Sequence, residues 1–330
     1  MDLALTRGTE HGGLLFDETE LMAKEQGGEG RFVAGQGGVA KVLATADGKV
    51  DFLVHDNGQV LCYVKSAMGY PALYPLYPAR IEKPIKAVLM DLDGTSVRSE
   101  HFWIWIIEQT TARLLDNPKF QLEAADLPHV SGHSVSEHLR HCIRKYAPHK
   151  TVEEARTTYF EITHREMRAI LEGRGRDDAF VPTEGLKDFL YALKARGIKI
   201  GLVTSGLYEK AWPEILAAFK QLGMGDPKDF YDAIISAGFA IRKGEVGTLG
   251  ELEPKPHPWL YAETARVGLG IEFADRHQVV GMEDSGAGVI SVRLAGFACI
   301  GMDEGNIKSS GTLGLCSHFC QDFAQVLELL

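Results

Sequence analysis

From Ile85 onward, apolar runs of strand length alternate with stretches whose apolar positions recur every three or four residues. Ile85–Met90 is broken only by Lys86 and ends at Asp91, and Ile198–Val203 ends at Thr204. Ala233–Ser236 and Val279–Met282 follow, the second running into Glu283-Asp284, and Ala298–Gly301 is the last strong strand. Between them Leu186, Phe189, Leu190 and Leu193 mark one helix face with Gly197 placed as its C-cap, and Leu260–Val267 and Gly288–Ala295 also read as helices. Strands alternating with helices predict an α/β fold: a doubly wound parallel sheet with helices on both faces.

Two stretches break this texture. Between about 100 and 180 no strand pattern is strong. A helix starting near Ser99 carries the run Phe102-Trp103-Ile104-Trp105-Ile106-Ile107. Helical patterns follow at Val135–Tyr146 and Val152–Leu171, with Thr151 and Glu154 at capping-box spacing. Upstream of the first core strand, Val39–Ala46, Val50–Val54 and Val60–Val64 are separated by Asp47-Gly48 and Asn57-Gly58, whose positive-φ tolerance suits tight hairpins. They predict a three-strand meander, which needs a surface to pack on. Gly35-Gln36-Gly37-Gly38 precedes no helix and reads as a turn rather than a phosphate loop. The prolines at 71, 75 and 78 make Tyr70–Pro84 an extended, ordered connector rather than a ligand for a proline-recognition module. The expected division is residues 1–80 as a β-rich extension and linker, 81–97 with 183–330 as the α/β core, and 98–182 as an inserted helical unit.

Composition narrows the partners. The 330 residues are 45% hydrophobic, and 35 Lys and Arg face 45 Asp and Glu, a formal charge of −10. That balance argues against a general nucleic-acid binder. No apolar run approaches the ~20 residues that span a bilayer, and Met1–Leu5 lacks a basic, apolar leader pattern. Five cysteines, an odd and sparse set, suit free thiols in a reducing setting, so a cytoplasmic location without a membrane partner is expected. Cys316-Ser-His318-Phe-Cys320 matches no standard zinc spacing and reads as a strand with buried thiols.

The distinctive polar groups fall just after strands: Asp91-Leu92-Asp93-Gly94-Thr95, Thr204-Ser205-Gly206 and Glu283-Asp284, with Lys255 on a loop. Ligands of open α/β sheets bind beyond the carboxyl ends of the strands, so these segments can converge. Asp91 and Asp93 lie two apart across a Gly94 turn, an arrangement in which one carboxylate attacks while the other handles a proton. Such close like charges call for a cation, and Asp284 with Glu283 would complete an oxygen site for Mg²⁺. Thr204, N–H groups near Ser205 and Gly206, and Lys255 would hold phosphate oxygens. The combination suits phosphoryl transfer. A calcium loop is a poor match, because Gly94 stands fourth and no ligand ladder follows.

With these motifs in order, the chain from about Ile85 onward resembles the haloacid dehalogenase superfamily of phosphohydrolases. Leu89–Thr95, Val203–Gly206, Lys255–Pro258 and Gly281–Gly288 are similar to its four motifs. The resemblance implies Asp91 as nucleophile, forming an aspartyl-phosphate, and Asp93 as general acid and base. It implies Mg²⁺ held by Asp91, the Asp93 carbonyl and Asp284 with support from Glu283, and phosphoryl binding by Thr204 and Lys255. The insertion at 98–182 stands where the subfamily resembling β-phosphoglucomutase and phosphoglycolate phosphatase carries a cap that closes over substrate. Val130–Ser134 resembles the cap's substrate-facing loop, so Gly132, His133 and Ser134 are expected substrate contacts, with His133 otherwise a surface histidine. Two positions depart from the mutases: Trp103 stands where they carry a histidine, with His101 two residues earlier, and Arg98 stands where an Asp is usual. Residues 238–253 look like an extra hairpin, whose Arg242 and Lys243 read as solvated. The expected activity is Mg²⁺-dependent hydrolysis of a small phosphate monoester such as a sugar phosphate. A sugar phosphomutase and a non-catalytic scaffold are the alternatives.

Overall fold

Every residue of the run Ala-Val-Leu-Met-Asp at 87–91 is buried, the behaviour of a strand covered on both faces. The computed structural model describes residues 16–65, 71–126, 135–236 and 253–330. The expected substrate loop with Gly132, His133 and Ser134 and the expected hairpin around Arg242 and Lys243 lie outside them. The chain forms two compact units. One comprises residues up to Thr95, Glu184–Leu207 and Lys228–Leu330, and the other Ser96–Thr183 with Tyr208–Pro227.

In the first unit, an antiparallel sheet pairs β1 (Met22–Lys24), β2 (Val39–Ala44), β3 (Val50–His55), β4 (Val60–Val64) and β5 (Ala72–Pro75) in sequence order. The predicted meander is its centre. The surprise is β5, which lies within the stretch read as a connector. Its one proline, Pro75, is compatible with pairing because it is an edge strand, where a missing N–H goes unfelt on the open side. The second sheet contains β6 (Ala87–Asp91), β7 (Lys199–Thr204), β8 (Ala233–Ser236), β9 (Val279–Glu283), β10 (Ala298–Met302) and β11 (His318–Cys320). All are parallel, in the order β8-β7-β6-β9-β10-β11. This is the doubly wound sheet expected, with one strand beyond the last strong signal. All five cysteines are free and buried.

The helix Gly286–Leu294 explains how the sheets are joined. It buries nearly every residue, including Ser291 and Arg293, so it has no solvent face to make polar. Its Val289, Ile290 and Val292 share one apolar cluster with Val50, Phe52, Val60 and Cys62 of the antiparallel sheet and Ala87 and Leu89 of β6. The N-terminal strands therefore pack on the core as a further layer. Arg293, buried in this layer, donates to the backbone carbonyls of Leu315 (2.9 Å) and Tyr77 (3.3 Å), which ties the segment after β5 to the core.

The second unit contains helices Glu100–Leu114, Val135–Tyr146 and Val152–Leu171. A short antiparallel ladder, Val97–Arg98 with Val181–Pro182, stands where the chain enters and leaves. The capping box is formed: the Glu154 N–H donates to Thr151 Oγ1 (3.2 Å) and the Thr151 N–H to Glu154 Oε2 (2.8 Å). Helix Tyr208–Gln221, which follows the second motif, also belongs to this unit. No helix among the described residues is long and apolar enough to cross a membrane.

A buried polar network ties Asp126 to the helix Val135–Tyr146. Asp126 accepts hydrogen bonds from Lys145 Nζ (2.8 Å), the Tyr146 hydroxyl and the Glu123 N–H (3.0 Å), and His141 Nε2 lies 2.7 Å away. Burial opposes the carboxylate, but these donors outweigh it and hold its pKa well below the ordinary range. The folded value thus lies below an unfolded value of about 3.9, so this stabilisation is complete above that pH and is lost as pH falls below it. Asp126→Ala is expected to cost about 2–4 kcal/mol at neutral pH in chemical denaturation, by orphaning several donors. The gap between the two proteins should narrow below about pH 4. A gap unchanged by acid would show that the charge is not what matters.

Candidate active site

Three adjacent strands deliver their last residues to one end of the parallel sheet. Asp91 pairs in register with Val203, one residue short of Thr204, and Met90 pairs with Met282, one residue short of Glu283. The backbone then turns at Gly94, where φ is +88° and a Cβ would collide with the Asp284 carboxylate. A Cβ at Gly305 would also collide with Asp284. Only glycine permits this packing, so the turn after Asp93 sits directly against Asp284.

Lys255 binds the cluster together. Its ammonium pairs with Asp91 Oδ1 and, at 2.6 Å, with Glu283 Oε1, and its N–H donates to Ser205 Oγ (3.1 Å). Both lysine and aspartate side chains are 7% exposed, so the ion pair is largely desolvated. Thr204 Oγ1 accepts from the Gly206 N–H (2.9 Å) and donates to Asp93 Oδ2 (3.3 Å), which links the second motif to the first. In these contacts Thr204 orients Asp93, and the Gly206 N–H is engaged by Thr204.

Glu283 is the most completely enclosed of the acids. The Tyr261 hydroxyl donates to its Oε1 and the Ser285 hydroxyl to its Oε2 (3.1 Å), and a Cβ at Gly288 would overlap the carboxylate. Ser285 also caps the following helix, its Oγ accepting from the Gly288 N–H. Sequence reasoning missed Tyr261, whose place in an apolar helical pattern gives no sign that its hydroxyl reaches an acid.

The electrostatics call for a cation. Burial pushes the Asp91 pKa up; Glu283, Asp284 and Asp93 push it further, and Lys255 relieves it only partly. Burial and Glu283 likewise raise Asp284. Burial opposes the charge on Lys255, but Asp91 and Glu283 outweigh it and hold the ammonium above its ordinary value. Asp91, Glu283 and Asp284 present carboxylate oxygens within 4.8 Å of one another. An all-oxygen, anionic, buried donor set fits a hard divalent ion such as Mg²⁺. The structure thus brings Asp91, Asp93, Thr204, Ser205, Gly206, Lys255, Glu283 and Asp284 to one place.

Known proteins share this fold. The chain is 23% identical over 219 residues to validoxylamine A 7'-phosphate phosphatase of Streptomyces hygroscopicus subsp. limoneus, covering 66% of this chain and 85% of the relative. CbbY of Rhodobacter sphaeroides, solved in complex with phosphate, superposes with a TM-score of 0.54 at 20% identity, covering 73% of this chain and 96% of that one. Another structure of CbbY holds xylulose-(1,5)bisphosphate. A predicted phosphoglycolate phosphatase of Haemophilus somnus 129pt gives 0.56 at 18% identity, covering 74% and 97%. These similarities show the fold, while the family model covers the motif-bearing strands themselves. It matches residues 85–296, well over half of the chain, and on that match the protein belongs to the haloacid dehalogenase-like hydrolases.

Proposed function

We propose that this hydrolase is a Mg²⁺-dependent phosphatase of small phosphate monoesters, with a sugar phosphate as the preferred class, working through an aspartyl-phosphate on Asp91. The observation that carries the reading is the Lys255 ammonium clamped between Asp91 and Glu283, with Asp93 two residues on and Asp284 against the turn. Lys255 marks where phosphoryl oxygens would lie, next to the attacking carboxylate.

In this scheme an Asp91 oxygen attacks phosphorus and the bond to the leaving oxygen breaks. Asp93, entering as the acid, gives that oxygen its proton. Asp93, now a carboxylate, takes a proton from water as the water attacks phosphorus. The bond to Asp91 then breaks, releasing inorganic phosphate and restoring the carboxylate. Thr204 keeps Asp93 turned toward these atoms, and Glu283 fixes the lysine. Mg²⁺ held by Asp91, Asp284 and the Asp93 carbonyl would supply charge neutralisation for the phosphoryl oxygens.

The named relatives support the substrate class, since a phosphatase of validoxylamine A 7'-phosphate and a protein holding xylulose bisphosphate both act on or bind phosphorylated carbohydrate-like molecules. Release rather than return of the phosphoryl group is supported by Trp103. It stands where similar mutases carry a histidine, it cannot exchange protons, and the Lys210 ammonium lies 3.6 Å from its ring centroid. A panel of phosphorylated metabolites with Mg²⁺, scored for both phosphate release and isomerisation, tests the proposal. Release from sugar phosphates is expected. Conversion of a sugar phosphate without net release would make the protein a mutase, and neither outcome with any substrate would favour the scaffold.

A further inference from the structure

Lys255 lies in an irregular segment, outside any strand or helix, so something other than a hydrogen-bonded ladder must set its position. Three anchors hold the segment. The Lys255 N–H donates to Ser205, the Ser291 hydroxyl donates to the His257 carbonyl (2.6 Å), and the His257 Nδ1 shares a 2.8 Å hydrogen bond with the Tyr74 hydroxyl. The first two anchors come from motif-bearing elements of the core. The third comes from β5, in the part of the chain that precedes the family match at residue 85.

The Tyr74 contact is built rather than incidental. His257 is 2% exposed, and the Tyr74 ring meets it edge-on at 5.7 Å between centroids. Tyr74 also packs edge-on against Trp259 at 6.0 Å. One side chain of the antiparallel sheet thus touches both residues that flank Pro258, two and four positions beyond Lys255. The sheet is itself fixed by the shared apolar cluster, so β5 presents the hydroxyl from a rigid layer.

We propose that Tyr74 is a positioning residue for Lys255: through His257, the N-terminal sheet sets the loop that aims the lysine ammonium at the phosphoryl site. The proposal rests on the reading of Lys255 as a phosphate ligand. It assigns the N-terminal strands a task in the reaction besides covering the helix Gly286–Leu294.

The test measures binding of inorganic phosphate by calorimetry, with Mg²⁺ and the full chain, in a double-mutant cycle. Tyr74→Phe keeps both ring contacts and removes only the hydroxyl. It is expected to weaken phosphate binding about three- to tenfold, the fold-change that one lost hydrogen bond typically produces. KM should rise in step with any substrate turned over, with kcat within about twofold. In a Lys255→Met background the same substitution should have no further effect. Leu73→Ala, a half-exposed neighbour on the same strand, should leave phosphate affinity unchanged, and melting curves report whether the sheet stays packed. If Lys255→Met alone leaves phosphate affinity intact, the phosphate-ligand reading falls and the inference falls with it. If Lys255→Met weakens binding but Tyr74→Phe does not, only the positioning role is overturned. It is overturned too if Tyr74→Phe acts equally in both backgrounds, or if Leu73→Ala has the same effect.

Discussion

Asp91→Asn should reduce phosphate release by a factor on the order of 10⁴ or more while leaving the metal-free protein at least as stable as before. The first half follows from chemistry, since an amide cannot form and then regenerate the acyl-phosphate bond, and loss of a nucleophile commonly costs this much. The second half follows from electrostatics. Asp91 is buried among Glu283, Asp284 and Asp93, and its pKa is pushed up because the folded site disfavours its charge. Removing one negative charge relieves that crowding, and Lys255 keeps its 2.6 Å contact with Glu283. A variant with an unchanged or higher melting temperature and no turnover separates catalytic loss from unfolding. Release that persists in pure Asp91→Asn protein would refute the nucleophile assignment. A collapse in stability would instead show that Asp91 holds the cluster together.

What was legible in the sequence depended on whether the signal was local. The strand ends at Asp91, Thr204 and Glu283 could be read because buried parallel strands are continuous apolar runs, and a polar residue closing such a run stands out. The capping box at Thr151 and Glu154 is likewise a short-range device. The antiparallel edge strand Ala72–Pro75 was hidden because Pro75 and the prolines flanking the strand argue against pairing unless its edge position is known. Tyr261 and Tyr74 were hidden for a different reason. Each looks like an aromatic in an apolar or linker setting, and only the folded chain brings its hydroxyl to Glu283 or His257. Helix Tyr208–Gln221 carries an ordinary amphipathic pattern, and nothing in such a pattern says which unit it packs against.

The same distinction between a group that reacts and a group that holds another bears on Asp93. Its Oδ2 accepts from Thr204 Oγ1, which in turn accepts from the Gly206 N–H, so its direction is set by a chain of hydrogen bonds leading back to the second motif. An asparagine at 93 can keep that bond through its amide oxygen but can neither give nor take the catalytic proton. Asp93→Asn is therefore expected to lower kcat by about 10²–10⁴ with its orientation intact. The two halves of the reaction should suffer unequally. With p-nitrophenyl phosphate, whose leaving group needs little help from an acid, attack by Asp91 should still proceed. Hydrolysis of the aspartyl-phosphate needs a base whatever the substrate. Rapid mixing should then show a burst of nitrophenol close to one equivalent of enzyme, followed by slow turnover, with phosphate bound covalently to the protein. Thr204→Val, which breaks the orienting bond and leaves the carboxylate, should lower kcat less and give no such burst. Steady release at the wild-type rate from Asp93→Asn would remove Asp93 from the chemistry. Slow release without a burst would move its role to the first step alone.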